Sequence, residues 1–153
     1  MAMTDRRGVA LDRVLELVVV LGEDMTRSLA AEGLTGSRAH LLWELGRTGP
    51  STQRALADSL GVSARNVTGL VDGLVATRFV TREPHPSDRR ATLVTLTQHG
   101  MATFAQLDRG QEELAQLLFS SMPARQVDAF VDTLDHVLGR LRDQLPPGPG
   151  GTR

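Results

Sequence analysis

A chain of 153 residues with 41% apolar content and no cysteine has room for one compact domain with helical extensions, and excludes disulfides, thiolate zinc sites and cysteine-based redox sensing. Its 17 basic residues, all arginine, and 18 acidic ones leave a net charge of −1, which argues against a nucleic-acid partner only until the charge is divided along the chain. Residues 1–46 carry five arginines against seven acids and residues 93–153 the same, whereas residues 47–92 carry seven arginines against four acids, so a positive centre of the sign that phosphate attracts sits between acidic flanks.

The start "MAMTDRRGVALDRV" turns amphipathic instead of continuing into a signal core, and no run of about 18 apolar residues follows. A cytoplasmic protein without a membrane partner is expected. From Val9 to Leu29 the apolar residues Leu11, Val14, Leu15, Val18, Leu21, Met25 and Leu29 recur at three- and four-residue steps, which predicts a long amphipathic helix. Gly33 and Gly36 punctuate its end. Ser37 is then placed to cap a second helix to about Arg47, carrying Leu41, Leu42, Trp43 and Leu45, until "TGP" stops it.

Between Gln53 and Asp72 the spacing becomes specific. Counting from Gln53, Leu56 is fourth, Ala57 fifth, Leu60 eighth, Gly61 ninth, Val62 tenth, Val67 fifteenth and Leu70 eighteenth, the places where two helices crossing around a tight turn need apolar or small residues. Leu56, Leu60, Val62, Val67 and Leu70 are the expected shared core, continued by Val71 and Leu74. Gly61 takes the left-handed turn and Ser63 caps the second helix. On the outward side Ser63, Arg65, Asn66, Thr68 and Gly69 are short or hydrogen-bonding, where an ordinary solvated face favours Glu, Gln and Arg. Gly69 and Gly73 each cost about 1 kcal/mol relative to alanine, which suits close approach of something outside the protein.

Major-groove DNA meets that requirement. Arg65 could donate twice to guanine, Asn66 could pair with adenine and Thr68 could touch a thymine methyl. Ser51, Thr52, Gln53 and Arg54 open the preceding helix and suit backbone phosphates. The bland alternative is a helical hairpin with a solvated polar face.

"VTREPHPSDRRATLVTLT", from Val80 to Thr97, has β-branched ends, and "EPHPSD" between them, with two prolines, must be a turn or an extended loop, so strand, loop and strand are expected. Strand alternation would put Asp88 and Arg90 on one side, the carboxylate holding the guanidinium toward a minor groove, with Arg89 turned to phosphate. A solvated charged turn is the competing reading. Thr97 caps the next helix, with Met101, Phe104, Leu107, Leu114, Leu117 and Leu118 apolar to about Ser120. Pro123 opens the last, with Val127, Phe130, Val131, Leu134, Val137, Leu138, Leu141 and Leu145. "PPGPGGTR" is expected to be a flexible tail.

The predicted fold class is mainly α with a small β-hairpin (α+β), a winged helix-turn-helix with long N- and C-terminal dimerisation helices. The broad apolar faces of the terminal helices are expected to be covered by a second copy in a two-fold homodimer, an intramolecular bundle being the other solution. The expected divisions are residues 1–47 for N-terminal dimerisation and support, 48–97 for the winged helix-turn-helix, 98–145 for the C-terminal linker and dimerisation helices, and 146–153 for the tail.

With these pieces in place the chain resembles the MarR family of winged helix-turn-helix regulators, on "TQRALADSLGVSARNVTGLVDGLVATRFVTREPHPSDRRATLVTLTQHG". The wing pattern of Asp, any residue, Arg stands here as Asp88-Arg89-Arg90, and "LT..G" as Leu96 to Gly100. The resemblance implies a homodimeric repressor on a near-palindromic operator in double-stranded DNA. Ser63, Arg65, Asn66 and Thr68 would enter the major groove and Arg90, supported by Asp88, the minor groove. A small aromatic or lipophilic effector would release the repressor, bound between the dimer helices and the winged domain. Two departures stand out: there is no cysteine for thiol-based sensing, and Arg78 and Phe79 replace the usual Gly and Leu, which questions how the recognition helix ends.

Met25, His40, Trp43, Met101 and Phe104 are the candidate effector-pocket residues, although aromatic and methionine side chains on amphipathic helices are more often core. His40, His85, His99 and His136 have no close metal-ligand spacing, so no metal or other cofactor is expected. No Ser–His–acid arrangement, phosphate-binding glycine loop or paired carboxylates point to an enzyme. The competing function is a winged-helix module that binds protein without DNA, for which the positive centre and the wing arginines would serve no purpose.

Overall fold

The computed structural model describes residues 5–144. The expectations for residue 145 and for the tail at 146–153 lie outside them. Among the described residues, six helices and a three-stranded antiparallel sheet follow in the order α1 (Arg6–Ala31), α2 (Gly36–Thr48), β1 (Ser51–Thr52), α3 (Gln53–Leu60), α4 (Ala64–Ala76), β2 (Val80–Pro84), β3 (Thr92–Leu96), α5 (Gln98–Phe119) and α6 (Ala124–Gln144). The class is the expected one, mainly helical with a small sheet. By its internal contacts the chain falls into two compact units that meet between Ala39 and His40, inside α2.

In the first unit the Asp5 carboxylate caps α1 by accepting the Arg7 N–H at 3.1 Å. α1 ends where Gly33 N–H donates to the Ala30 carbonyl and Leu34 N–H to that of Leu29, two bonds that satisfy carbonyls left over by the helix. Thr35, and not Ser37, caps α2, its hydroxyl accepting the Arg38 N–H at 3.3 Å. Ser37 lies one residue inside the helix, where its hydroxyl is past the capping position. Leu11, Leu15, Val18, Val19, Val20 and Met25 on α1 are all exposed.

The second unit holds most of the buried apolar residues, Leu29, Leu34 and Ala39 being those of the first. Leu41, Leu42, Leu45, Leu56, Val67, Val71, Leu74, Val80 and Val94 are fully buried, and burying each such side chain contributes roughly 1.5–3 kcal/mol. Val71 and Leu74 therefore carry the α4 side of the core, as the three-and-four spacing implies. Leu60, Val62 and Leu70 are only half-buried. These three were expected in the shared core; they lie at its margin.

β2 and β3 form the hairpin in the register Val80 to Leu96, Arg82 to Val94 and Pro84 to Thr92. Glu83 and Pro84, expected in the loop, extend the strand. Pro84 is tolerated there because it is the terminal residue, where a missing N–H costs the ladder least. β1 adds to the other side of β3 through Ser51–Val94 and Thr52–Leu93, giving the order β1-β3-β2. This third strand is absent from the sequence reading, since two residues cannot show an alternation.

Candidate nucleic-acid interface

The turn between α3 and α4 follows from its residues. Thr52 caps α3 by accepting the Ala55 N–H at 3.2 Å. Gly61 ends the helix at φ 65°, with Val62 N–H donating to the Ala57 carbonyl at 3.1 Å. Ser63 then caps α4, accepting the Asn66 N–H at 3.1 Å. Val67, Val71 and Leu74 turn inward, which leaves the first two turns of α4 to present Arg65, Asn66, Thr68 and Gly69, all exposed, with Ser63 half-exposed. A side chain added at Gly69 would meet no protein atom within 4 Å. Internal packing therefore does not require glycine at that position.

α4 ends in a turn of the same kind. Arg78 N–H donates to the Val75 carbonyl and Phe79 N–H to that of Leu74, at 3.0 and 2.9 Å, the paired bonds of a Schellman cap. Arg78 holds the left-handed position at φ 63°, the place where glycine is usual, so the helix ends normally despite the departure in sequence. The turn is held from outside. The Thr97 hydroxyl donates to the Arg78 carbonyl at 2.6 Å, and the Thr97 N–H donates to the Phe79 carbonyl at 3.0 Å. Thr97 also accepts the Gly100 N–H at 3.0 Å, capping α5. A Cβ at Gly100 would stand 2.0 Å from the Phe79 carbonyl oxygen, so "LT..G" joins the start of α5 to the end of α4.

The wing tip is built differently from the sequence reading. Asp88, Arg89 and Arg90 lie in a turn, not on a strand. The Asp88 carboxylate accepts the Arg90 backbone N–H at 3.0 Å, and Ala91 N–H donates to the Asp88 carbonyl at 3.2 Å. Asp88 thus fixes the main chain of Arg90 instead of gripping its guanidinium, because the turn removes the alternation that would have put the two side chains together. His85 orders the other half of the tip: its Nδ1 accepts the N–H groups of Ser87 and Asp88, each at 3.1 Å. The guanidinium groups of Arg54, Arg65, Arg89 and Arg90 make no hydrogen bond or ion pair among the described residues.

Sequence reasoning missed a polar network beside this face. Arg82 of β2 donates through Nε and Nη2 to the Gln53 side-chain amide oxygen Oε1, both at 3.2 Å, and through Nη2 to the Asp72 carboxylate at 2.5 Å. Gln53 in turn donates through Nε2 to the Thr68 hydroxyl at 3.0 Å, which donates to the Ala64 carbonyl at 2.9 Å. Of the four residues assigned to phosphate at the start of α3, Thr52 uses its hydroxyl as a cap and Gln53 is held in this network. The Ser51 hydroxyl donates to the Gly49 carbonyl at 2.9 Å, and Arg54 is exposed.

The aromatic pair of the candidate effector pocket packs on itself. Trp43 and Phe104 lie with ring centroids 5.4 Å apart, and Phe104 is set against Gly46 so closely that a Cβ there would be 2.1 Å away. His40 and Met101 are exposed in the same unit, and Met25 is exposed on α1 in the first. No group of three or more His, Asp or Glu side chains suited to a metal occurs among the described residues. None of their helices is long and apolar enough to cross a membrane.

Comparison with known proteins agrees with this geometry. Residues 32–91 match the model of the MarR family. The chain is 31% identical over 86 residues to the HTH-type transcriptional repressor YetL of Bacillus subtilis, covering 56% of this chain and 52% of that protein. It spans about half the length of the curated relatives it matches at this level of identity. Wild-type MarR from E. coli in its apo form superimposes with a TM-score of 0.62 at 28% identity, over 84% of this chain and 96% of that one. FabT of Streptococcus pneumoniae, solved in complex with DNA, shares the fold with a TM-score of 0.76 over 92% and 98% of the two chains, at 18% identity.

Proposed function

We propose that this chain is a MarR-family regulator, a reading supported by the match of residues 32–91 to that family's model, and that it is a sequence-specific, dimeric transcriptional repressor that binds a near-palindromic operator and releases it on binding a small aromatic or lipophilic effector. The observation that carries the reading is the outward face of α4. Arg65, Asn66, Thr68 and Gly69 stand exposed at the start of a capped helix, beside a wing whose tip carries Arg89 and Arg90. Short polar side chains and an open glycine let that helix approach base edges, and the guanidinium groups are available to guanine and phosphate.

In this reading Ser63, Arg65, Asn66, Thr68 and Gly69 enter the major groove. Ser51, Thr52, Gln53, Arg54 and Arg89 face the backbone, and Arg90 reaches the minor groove from the turn that Asp88 orders. The second copy is supported by apolar surface: α6 has no buried residue, and Phe130, Val131, Leu138 and Leu141 are exposed along it, as are Leu11, Leu15, Val18 and Met25 of α1. Two-fold symmetry would present two recognition helices about one DNA turn, roughly 34–36 Å, apart.

Selection of bound genomic fragments gives the operator, and titration of that duplex at several salt concentrations tests the mode of binding. Affinity should fall steeply with salt, as counterions are released from DNA. Arg90→Ala should weaken operator binding at least tenfold, about 1.4 kcal/mol, with the dimer unchanged in sedimentation. Equal affinities of mutant and parent at matched salt would remove the wing assignment.

A further inference from the structure

Among the described residues, Arg82 is the one arginine of the wing whose guanidinium has protein partners. Its guanidinium joins three elements: β2, on which it sits, the first residue of α3 through Gln53, and the ninth residue of α4 through Asp72. Gln53 hands the linkage on to Thr68, one turn from Arg65 on the outward face of α4. The Arg82 side chain is one-third exposed and that of Asp72 60% exposed, so the ion pair as such adds little to stability. Its worth is geometric. A planar fork with fixed donor directions can bind a carboxylate and an amide oxygen at once and thereby fix the angle between their helices, which a single ammonium cannot do.

We propose that Arg82 is a positioning residue for base recognition: through Asp72, Gln53 and Thr68 it sets the rotation of the recognition helix relative to the wing, and it does not itself contact DNA. This rests on the DNA-binding function proposed above. The Thr68 hydroxyl, donating to Ala64 and accepting from Gln53, is committed within the protein. Its methyl group is what remains for a base, in keeping with a thymine contact. A helix free to roll would still carry Arg65 to phosphate, because a charge tolerates rotation, but would hold no single base in register.

The test compares the parent with Arg82→Met and Arg82→Lys on the selected operator and on a scrambled duplex of equal length, across a salt series, with thermal melting of each protein. Both variants should lose about tenfold in the ratio of operator to scrambled affinity, the value of one well-made base contact. The salt slope should stay that of the parent even in Arg82→Met, and Lys should fail to restore discrimination although it restores the charge. If Arg82→Met lowers the slope by about 1 and Lys restores both slope and ratio, Arg82 is a phosphate contact and the proposal is wrong. Unchanged discrimination in both variants overturns it equally. Asp72→Asn, which loses the charge with little change of shape, should show a smaller loss of discrimination at the same slope, and supplies the reading should an Arg82 variant not fold. A parent chain that binds operator and scrambled duplex with the same affinity would instead refute the function from which the proposal starts.

Discussion

Two turns bound α4, and they share one hydrogen-bond pattern but not one residue type. Before α4, Gly61 takes the left-handed position at φ 65°; after it, Arg78 takes the same position at φ 63°. The left-handed conformation costs an L-residue roughly 1–2 kcal/mol and glycine nothing comparable. The first turn is therefore made by its own residue. The second is imposed from outside, by Thr97 bonded to the carbonyls of Arg78 and Phe79, by Gly100 against the Phe79 carbonyl, and by Phe79 itself, buried to 2% exposure. Backbone strain survives where the surroundings over-determine it.

Substitutions can break or sharpen this contrast. The largest effect belongs to Gly100→Ala, because backbone cannot move aside as a side chain can. Overpacking of about 3 kcal/mol should lower the melting temperature by roughly 6–12 °C, and a melting curve like the parent's would show that α5 does not clamp the second turn. Gly61→Ala meets no neighbour within 4 Å, so only its backbone is strained. A loss of about 1 kcal/mol in denaturant unfolding is expected; no loss would mean that the first turn, too, is held by its context. Smallest is Arg78→Gly, where relief of strain exceeds the added freedom of the unfolded chain by about 0.5–1 kcal/mol. If that variant is no more stable than the parent, the arginine side chain offsets its own strain, and the two turns differ less than their residues suggest.

The contrast also explains what the sequence makes legible. Gly61, Ser63 and the inward Val67, Val71 and Leu74 obey local rules of capping and period, so the helix-turn-helix can be read directly from their spacing. Arg78 can be seen as a departure, but not resolved, because the groups that hold it arrive from Thr97 and Gly100, some twenty residues on. The Arg82 network is hidden for a similar reason. Its bonds join residues 10, 15 and 29 positions apart, and no periodicity reports a side-chain fork. A signal was present in Asp72 and Gln53, each a polar residue bordering the buried stripe. Asp88 and Arg90 show the opposite failure: strand alternation implies a side-chain pair, and one turn at the tip replaces it with a main-chain contact. Thr35 took the α2 cap from Ser37 because the chain enters the helix two residues earlier than the apolar pattern indicates.

The strand order β1-β3-β2 has one more consequence. β3 is hydrogen-bonded on one side to its hairpin partner and on the other to Ser51 and Thr52, the residues that lead directly into α3. Main-chain bonds thus run without a break from the wing to the helix-turn-helix. In the proposed DNA-binding mode this makes the sheet a ruler: the distance along the duplex between the base pairs met by α4 and those met by the wing tip would be written in peptide groups. Side-chain substitutions at either end can then alter which bases are chosen while the spacing between them stays the same.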